Sequence, residues 1–246
     1  MTEIALVADL HGNLPATMAL DKDLNARGIS RIICLGDVVG KGPCSADTFD
    51  WAFSRCDMIL QGNWEAGIGL KQFPKDDFYY QQLGPARMKK ITELPLEYTL
   101  TLSGRKIRLF HGRPIMKELL VIQDDAALLS PLFDPDYDVV GYADAHRQGM
   151  RIVSSRGQLF NTGAVGNGLG LPMVQYAIMR GSQTDEKAAF DLTFITLPYD
   201  RAQAVRDTRA AVELPNADLF EREISTGVYA RTPAKDGGTD RKTRVY

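Results

Sequence analysis

The chain has 246 residues, of which 44% are hydrophobic and 24% are charged, a balance typical of a water-soluble globular protein with one large domain or two small ones. The 29 Lys and Arg residues against 31 Asp and Glu residues leave a formal net charge of −2, which argues against a nucleic-acid-binding surface or an anionic membrane as partner. No apolar run is long enough to span a membrane, and the first strand lacks the basic region and cleavage site of a signal peptide. The three cysteines form no CxxC pair. Together these features predict a cytoplasmic protein with reduced thiols.

The first half of the chain alternates predicted strands and helices. In chain order these are a strand over 4–8, a helix that begins after Asn13 and ends at Gly28, a strand over 31–35, a short helix over 45–54, a strand over 58–60, and helical segments within 64–93 that are interrupted near Pro74 and Gly84. Asn13 is a favourable N-cap, and Gly28 is a favourable C-terminal stop. Short apolar strands of this kind are typical of a parallel sheet, which binds ligands at its carboxyl edge.

The second half is richer in strands. A hairpin over 97–102 and 106–110 turns at Ser103-Gly104, a short helix covers 124–129, and strands are predicted over 137–142, 150–154, 158–162, 173–180 and 189–197, before helices near 200–212 and 215–226. We therefore expect two sheets packed face to face with helices outside. The predicted domain is a single one over 1–231, with a C-terminal helical extension from about residue 200. The charged tail over 232–246 is expected to be disordered.

All three histidines of the chain directly follow predicted strands, close to carboxylates or glycines. The candidate ligands at five strand ends are Asp9 with His11, Asp37, Asn63, His111, and Asp144 with His146. A single histidine at a strand end is more often structural, but three in one ordered pattern favour metal binding. Carboxylate oxygen with imidazole nitrogen suits Mn, Fe, Co or Zn better than Mg. The set is too large for one ion and predicts two divalent ions that share a carboxylate, with Mn favoured.

The order of these motifs resembles that of the calcineurin-like metallophosphoesterase family, and most closely its small bacterial and archaeal phosphodiesterases. The motifs are Asp9-x-His11, Gly36-Asp37, Gly62-Asn63, His111-Gly112 and a closing x-x-His146, followed by a glycine-containing segment over 161–166. The resemblance covers residues 4 to about 166. It implies an α/β fold, a four-layer α/β/β/α sandwich of two mixed sheets.

The resemblance also implies how the ligands divide between the two metals. Asp9, His11 and His146 would bind the first ion, and Asp37 would bridge both. The second ion would be bound by Asn63 and His111 and completed by Asp144. Asp37 and Asn63 would also position the attacking water and the phosphate.

Two positions depart from the family pattern. Trp64 stands where the family usually has a histidine that positions the phosphate or protonates the leaving group, and an indole cannot transfer a proton. Leaving groups of low pKa need no such help. Asp144 stands where a histidine ligand is expected. Either its carboxylate serves as a ligand, or it turns away and the second site is weak.

Four residues are candidates for substrate binding: Asn13, Trp64, Arg113 and Arg147. Asn13 follows Asp9-x-His11 and could instead support the ligands from outside. Trp64 either stacks on a base or only covers the site with apolar surface. The two arginines lie beside candidate ligands and suit phosphate oxygens, although surface ion pairs explain them equally well.

The sequence therefore predicts a metal-dependent phosphoesterase in which a metal-bound hydroxide attacks phosphorus at a dinuclear centre. Phosphodiesters or nucleotide phosphoanhydrides are favoured over monoesters, because the resemblance points to phosphodiesterases and no basic cluster is visible for a dianion. The expected partner is a small phosphoester, with a nucleotide as one candidate, and a homodimer is left open. The alternative is a catalytically degenerate sensor or scaffold that binds a metal or a nucleotide.

Overall fold

The computed structural model describes residues 1–72 and 76–231. The interruption predicted near Pro74 and the disorder predicted over 232–246 lie outside the described residues. Within them, ten strands form two five-stranded sheets. No helix in the described part of the chain has the length and apolar character needed to cross a bilayer.

The first sheet combines parallel and antiparallel strands. Its members are β1 (Thr2–Val7), β2 (Ile32–Cys34), β3 (Met58–Ile59), β9 (Val174–Gly181) and β10 (Asp191–Leu197). Their order in space is β10-β9-β1-β2-β3. β1, β2 and β3 run parallel, whereas β9 and β10 join antiparallel on the other side of β1. The chain segments that leave β1, β2 and β3 therefore emerge at one edge of the sheet.

The second sheet is also mixed. It contains β4 (Glu97–Leu102), β5 (Arg105–Phe110), β6 (Val139–Tyr142), β7 (Gly149–Val153) and β8 (Gly157–Asn161), in the spatial order β4-β5-β6-β8-β7. β5, β6 and β8 are parallel, and the two edge strands are antiparallel to their neighbours. The loops that follow β5 and β6 thus share one edge, as the loops that follow β1 to β3 do in the first sheet.

Seven helices connect and cover the sheets in the described residues. They are α1 (Leu14–Arg27), α2 (Ser45–Arg55), α3 (Asn63–Gly69), α4 (Asp77–Thr92), α5 (Ala126–Leu129), α6 (Arg201–Ala210) and α7 (Ala217–Thr226), and a 3-10 turn over Ser130–Phe133 continues α5. Gly84 lies inside α4 with a φ of 64°, which interrupts the helix where the sequence predicts.

Three apolar cores define the layers. Leu6 of β1 and Leu109 of β5 belong to the core between the two sheets. The outer face of the first sheet packs against α1 through residues such as Leu20. The outer face of the second packs Val140 against Leu129 and the turn that follows. The architecture is the predicted four-layer α/β/β/α sandwich of two mixed sheets.

Local signals account for several boundaries. The side chain of Asn13 accepts a hydrogen bond from the backbone of Ala16 at 3.2 Å and caps α1. Gly28 ends the helix in the left-handed conformation, which glycine adopts without steric cost. Ser103 and Gly104 both have positive φ, as a two-residue hairpin turn requires.

The last two helices bring distant sequence to the centre of the molecule. α6 packs against α1. Phe220 of α7 is fully buried, and a Cβ added to Gly42 would lie 2.8 Å from its ring. Gly42 lies in the loop after β2, so α7 is pressed against the same loop that carries Asp37.

Candidate metal centre

The candidate ligands meet at the common edge where the parallel strands of both sheets end. Asp9 and His11 follow β1, Asp37 follows β2, His111 follows β5, and His146 follows β6. These five side chains are between 0% and 5% exposed. Because the carboxyl ends of parallel strands lie together, side chains far apart in the sequence converge on one buried point.

The backbone at four of these positions is held in an unusual conformation. Asp9, His11, Asp37 and His146 have φ values of 56°, 46°, 54° and 56°. A left-handed backbone is uncommon for residues with a side chain, and such strain is often retained where it positions functional groups. Here it turns the chain sharply after each strand, so that the side chains point inward.

The side chains form two overlapping clusters. The first contains Asp9, His11 and His146, the second contains Asp9, Asp37 and His111, and in each cluster one ligand atom per residue lies within 4.8 Å of the others. In the first, Asp9 Oδ1 is 3.2 Å from His146 Nε2 and 3.5 Å from His11 Nε2. In the second, Asp37 Oδ2 is 3.3 Å from His111 Nε2. Asp9 is common to both.

Asp37 also borders both clusters. Its Oδ2 atom is 3.6 Å from His11 Nε2, whereas its Oδ1 atom accepts a hydrogen bond from the backbone of Trp64 at 2.9 Å. A Cβ on Gly62 would lie 2.1 Å from that Oδ1 atom. Because glycine at position 62 has no side chain, the Asp37 carboxylate has room to lie against the Gly62-Asn63 motif.

Backbone carbonyls orient the three imidazoles so that each turns its Nε2 atom toward the clusters. Their Nδ1 atoms face carbonyl oxygens, which only accept hydrogen bonds, and therefore carry a proton. The carbonyl partners are Val39 for His11 at 3.3 Å, Leu35 for His111 at 2.9 Å and Asn167 for His146 at 2.8 Å. Nε2 is consequently the atom of each ring that a metal ion would bind, and His11 Nε2 and His146 Nε2 lie only 3.2 Å apart.

Several buried acceptors at this point lack any hydrogen-bond donor in the described residues. They are both carboxylate oxygens of Asp9, Nε2 of His111 and Oδ1 of Asn63. A buried polar atom without a hydrogen-bond partner destabilises the folded protein. A cation bound between acceptors that face one another would compensate for the missing donors. The donor set of carboxylate oxygens and imidazole nitrogens fits divalent ions of the Mn, Fe, Co and Zn class.

The pKa shifts of His111 and His11 are consistent with a site that attracts cations. Burial lowers the pKa of His111, but Asp37, Asp9 and Asp144 outweigh burial and raise it to about 10. The surroundings of His111 thus attract positive charge strongly, and a divalent cation would compete there with a proton. Burial and the ammonium of Lys41 lower the pKa of His11 to about 4, which keeps that ring neutral and able to bind metal at neutral pH.

Asp144 belongs to neither cluster. Its carboxylate accepts two hydrogen bonds from the guanidinium of Arg113, at 2.7 and 2.6 Å, and one from the Arg113 backbone at 3.1 Å. A metal role of Asp144 stays a prediction. The same ion pair occupies Arg113, which the sequence suggests for phosphate binding.

The other candidates are placed as follows. Asn63 begins α3, and its metal role stays a prediction. The amide nitrogen of Asn13 donates to the carbonyl oxygen of Gly166 at 2.7 Å, and Asn13 is only 1% exposed. This bond joins the loop after β1 to Gly166, and a role of Asn13 in substrate binding stays a prediction. Arg147 is half-buried beside His146, and its role also stays a prediction.

Trp64 covers the first cluster. Its ring meets His11 edge to face at a centroid distance of 5.7 Å, and a Cβ on Gly40 would lie 2.1 Å from it. The half-buried indole, at the position where the resemblance leads us to expect a histidine, thus packs against His11, which is fully buried.

Sequence reasoning missed Glu65, which holds the ligand loops in place. This fully buried carboxylate accepts hydrogen bonds from the backbone of Asp37 at 2.7 Å, of Val38 at 2.8 Å and of Gly62 at 2.9 Å. Its position two residues after Asn63 was the available signal. Lys41 and Glu223 were also missed, because neither belongs to a recognisable motif.

We expect Glu65→Gln to reduce the free energy of unfolding by about 2 kcal/mol, because the amide nitrogen would face backbone donors and leave at least one of them unpaired. Urea denaturation of the metal-free protein measures this effect. Glu93→Gln on the exposed end of α4 is the matched control and should change stability by less than about 0.5 kcal/mol. Equal effects of the two variants would contradict the assigned role of Glu65.

Comparisons with known proteins agree with this geometry. A family model described as the calcineurin-like phosphoesterase superfamily domain matches residues 2–184. An uncharacterised protein of Methanocaldococcus jannaschii is 28% identical in a 155-residue alignment that covers 57% of this chain and 58% of that protein. The alignment thus spans less than two thirds of the relative's length.

Two solved structures share the fold. A metallophosphoesterase from Sphaerobacter thermophilus superimposes with a TM-score of 0.73 at 22% identity and covers 92% of this chain and 100% of its own. A hypothetical protein from Pyrococcus horikoshii OT3 gives a TM-score of 0.72 at 17% identity, with 95% and 100% covered. At these identities the similarity establishes the fold alone.

Proposed function

The chain belongs to the calcineurin-like phosphoesterase superfamily, and from that premise we propose that it hydrolyses phosphodiesters or nucleotide phosphoanhydrides with the help of two divalent ions. One observation carries the proposal. Two clusters of buried oxygen and nitrogen acceptors share Asp9, and both carboxylate oxygens of Asp9 and Nε2 of His111 lack hydrogen-bond donors in the described residues. A pair of cations satisfies all of them at once.

Asp9 would serve both ions, together with His11 and His146 for one and with Asp37 and His111 for the other. Asn63 supplies a further buried oxygen that has no hydrogen-bond partner in the described residues. Ions bound there supply Lewis-acid stabilisation of phosphoryl oxygens and lower the pKa of a bound water. The mixed oxygen and nitrogen ligands favour the Mn, Fe, Co and Zn class, of which we propose Mn.

The protein's own contribution is to orient these groups and to exclude water. The backbone carbonyls fix the imidazoles, Glu65 fixes the loops on either side of Asp37, and Trp64 shields His11. Trp64 offers no acid with which to protonate a leaving group. Substrates with leaving groups of low pKa are therefore favoured, which include aryl phosphodiesters and phosphoanhydrides. The three free thiols suit a reducing cytoplasm.

The test is hydrolysis of bis-p-nitrophenyl phosphate by chelator-stripped protein, with and without added Mn²⁺. The leaving group is good, so the absence of a proton donor should not mask activity. We expect turnover that depends on metal and disappears in Asp37→Ala. Metal-independent turnover, or turnover that survives in Asp37→Ala, would refute the proposal.

The second candidate is a degenerate protein of the same fold that binds a metal or a nucleotide without turnover. Two observations favour it, the indole at position 64 and the ion pair that engages the Asp144 carboxylate with Arg113. Binding of Mn²⁺ and a nucleotide, measured by fluorescence of the tryptophans, without hydrolysis under Mn²⁺, Fe²⁺, Co²⁺ or Zn²⁺, would support it against the enzyme.

A further inference from the structure

A lysine ammonium lies directly beside the metal ligands. Lys41, in the loop after β2, is 6% exposed, and its Nζ atom is 3.2 Å from His146 Nε2. Its backbone is left-handed, with a φ of 55°, as in the ligand residues Asp9 and Asp37. The loop thus turns the lysine into the site rather than toward solvent.

A buried carboxylate from the C-terminal helix acts electrostatically on this lysine. Burial lowers the pKa of Lys41, and Glu223 of α7, which is fully buried, opposes that shift. Its carboxylate accepts hydrogen bonds from the side chain of Asn167 at 2.9 Å and from the backbone of Ala230 at 3.1 Å. Since Asn167 also accepts the His146 Nδ1 proton, Glu223 is joined to a metal ligand through one residue.

A second cation shares the same carboxylate. Arg231 Nε lies 3.4 Å from Glu223 Oε2, and the arginine side chain is only 14% exposed. Its guanidinium lies 6.0 Å from the ring centroid of Trp64. The Nη2 atom is buried and has no hydrogen-bond partner in the described residues. A buried guanidinium donor without an acceptor is the group that an anionic ligand would satisfy.

The two cations offer separate contacts to a ligand. Lys41 lies beside His146, and Arg231 lies beside Trp64. Glu223 acts on both cations, and Asp76 acts on Arg231 as well, whereas Asp144 and Arg113 pair with each other. A single phosphate group at the metal centre would contact Lys41 alone, but two linked phosphate groups can contact Lys41 and Arg231 together.

We propose that Lys41 and Arg231, held by Glu223, bind the phosphate oxygens of a phosphoanhydride, with Lys41 on the phosphoryl group at the metal centre and Arg231 on the adjacent phosphate beside Trp64. This inference rests on the proposed function and narrows its substrate class to molecules with two linked phosphates. It also revises the impression that the chain has no basic cluster, since the fold assembles one from residues far apart in sequence.

The test measures binding rather than turnover. Protein loaded with Mn²⁺ and freed of excess ion is titrated with methylenediphosphonate, which is not hydrolysed, and with orthophosphate. We expect Lys41→Met to weaken binding of both probes by about tenfold to a hundredfold, the range for a charge-assisted hydrogen bond. Arg231→Met should weaken binding of methylenediphosphonate by a similar factor and leave orthophosphate within about twofold. Lys41→Arg should recover part of the loss.

Two exposed residues provide matched controls. Lys89→Met on α4 and Arg222→Met, next to Glu223 on α7, remove the same charges from the surface and should leave both affinities unchanged. Metal content is measured for every variant, and Lys41→Arg keeps the test decisive if Lys41→Met fails to fold. Wild-type affinity for methylenediphosphonate in Arg231→Met, or an equal loss for both probes, would overturn the assignment.

The outcome is separable from that of the proposed function. If the wild-type protein hydrolyses bis-p-nitrophenyl phosphate but the variants bind the diphosphonate normally, the enzyme stands and this inference fails. If the diphosphonate binds through Lys41 and Arg231 but no ester or anhydride is hydrolysed, the binding site stands and the enzyme fails.

Discussion

Replacing Asp9 by asparagine is expected to remove metal from both clusters and to lower the turnover of bis-p-nitrophenyl phosphate by about a thousandfold or more. Asp9 is the one residue common to both ligand groups. An amide has no negative charge with which to hold either ion, and stabilisation of developing charge on the phosphoryl group is the largest contribution that such a site makes to rate. Metal content after gel filtration and steady-state kinetics measure the two effects.

Misfolding can be distinguished from loss of the site. Burial raises the pKa of Asp9, but the three histidines outweigh burial and hold that pKa well below its usual value, so the Asp9 charge stabilises the metal-free protein. Asp9→Asn should therefore lower the free energy of unfolding of the metal-free protein while leaving a single cooperative urea transition. Asp136→Asn, at an exposed ion pair, is the control and should retain metal and activity. Full metal content in Asp9→Asn would contradict the assignment of Asp9 to both sites.

Asp144→Ala is expected to reduce the free energy of unfolding by about 3 kcal/mol. The Asp144 side chain is 2% exposed, and that of Arg113 is 27% exposed. Loss of one member of a buried pair leaves the other charge without compensation, which costs more than the pair contributes. Urea denaturation measures the change, and the double variant Arg113→Met with Asp144→Leu should recover most of it because no charge is then left buried.

The exposed pair of Arg87 and Asp50 is the matched control. Its carboxylate side chain is 57% exposed, and Asp50→Ala should cost less than about 1 kcal/mol. If Asp144→Ala is no more costly than Asp50→Ala but loses metal, then Asp144 is a ligand, as the family resemblance implies. Asp144→His is not expected to raise activity, because it would place an imidazole against the guanidinium of Arg113.

The sequence predicts the ligand-bearing strand ends well because their signals are local. A short apolar strand that breaks into Asp or His, as at Asp9 and His111, is visible within ten residues. The parallel arrangement then follows from the alternation of strands and helices. The caps at Asn13 and Gly28 and the break at Gly84 were predictable for the same reason.

The parts that could not be predicted depend on contacts between distant segments. The direction in which Asp144 points is decided by Arg113, and the same two residues in another loop geometry would leave it free to bind metal. Lys41 lies between two glycines and looks like an ordinary loop residue. Only the fold shows that Glu223 and Arg231, from the end of the described chain, come to lie beside it.

The proposed metal ligands and the proposed phosphate-binding residues near α7 lie in two different stretches of the sequence. The proposed metal ligands lie within residues 2–184, the range that the family model matches, whereas Glu223 and Arg231 lie outside it. If Glu223 and Arg231 have the proposed roles, substitutions in the C-terminal segment would change the affinity for linked phosphates and leave the metal content unchanged. Exchange of this segment between homologous chains would then be a route to altered substrate preference.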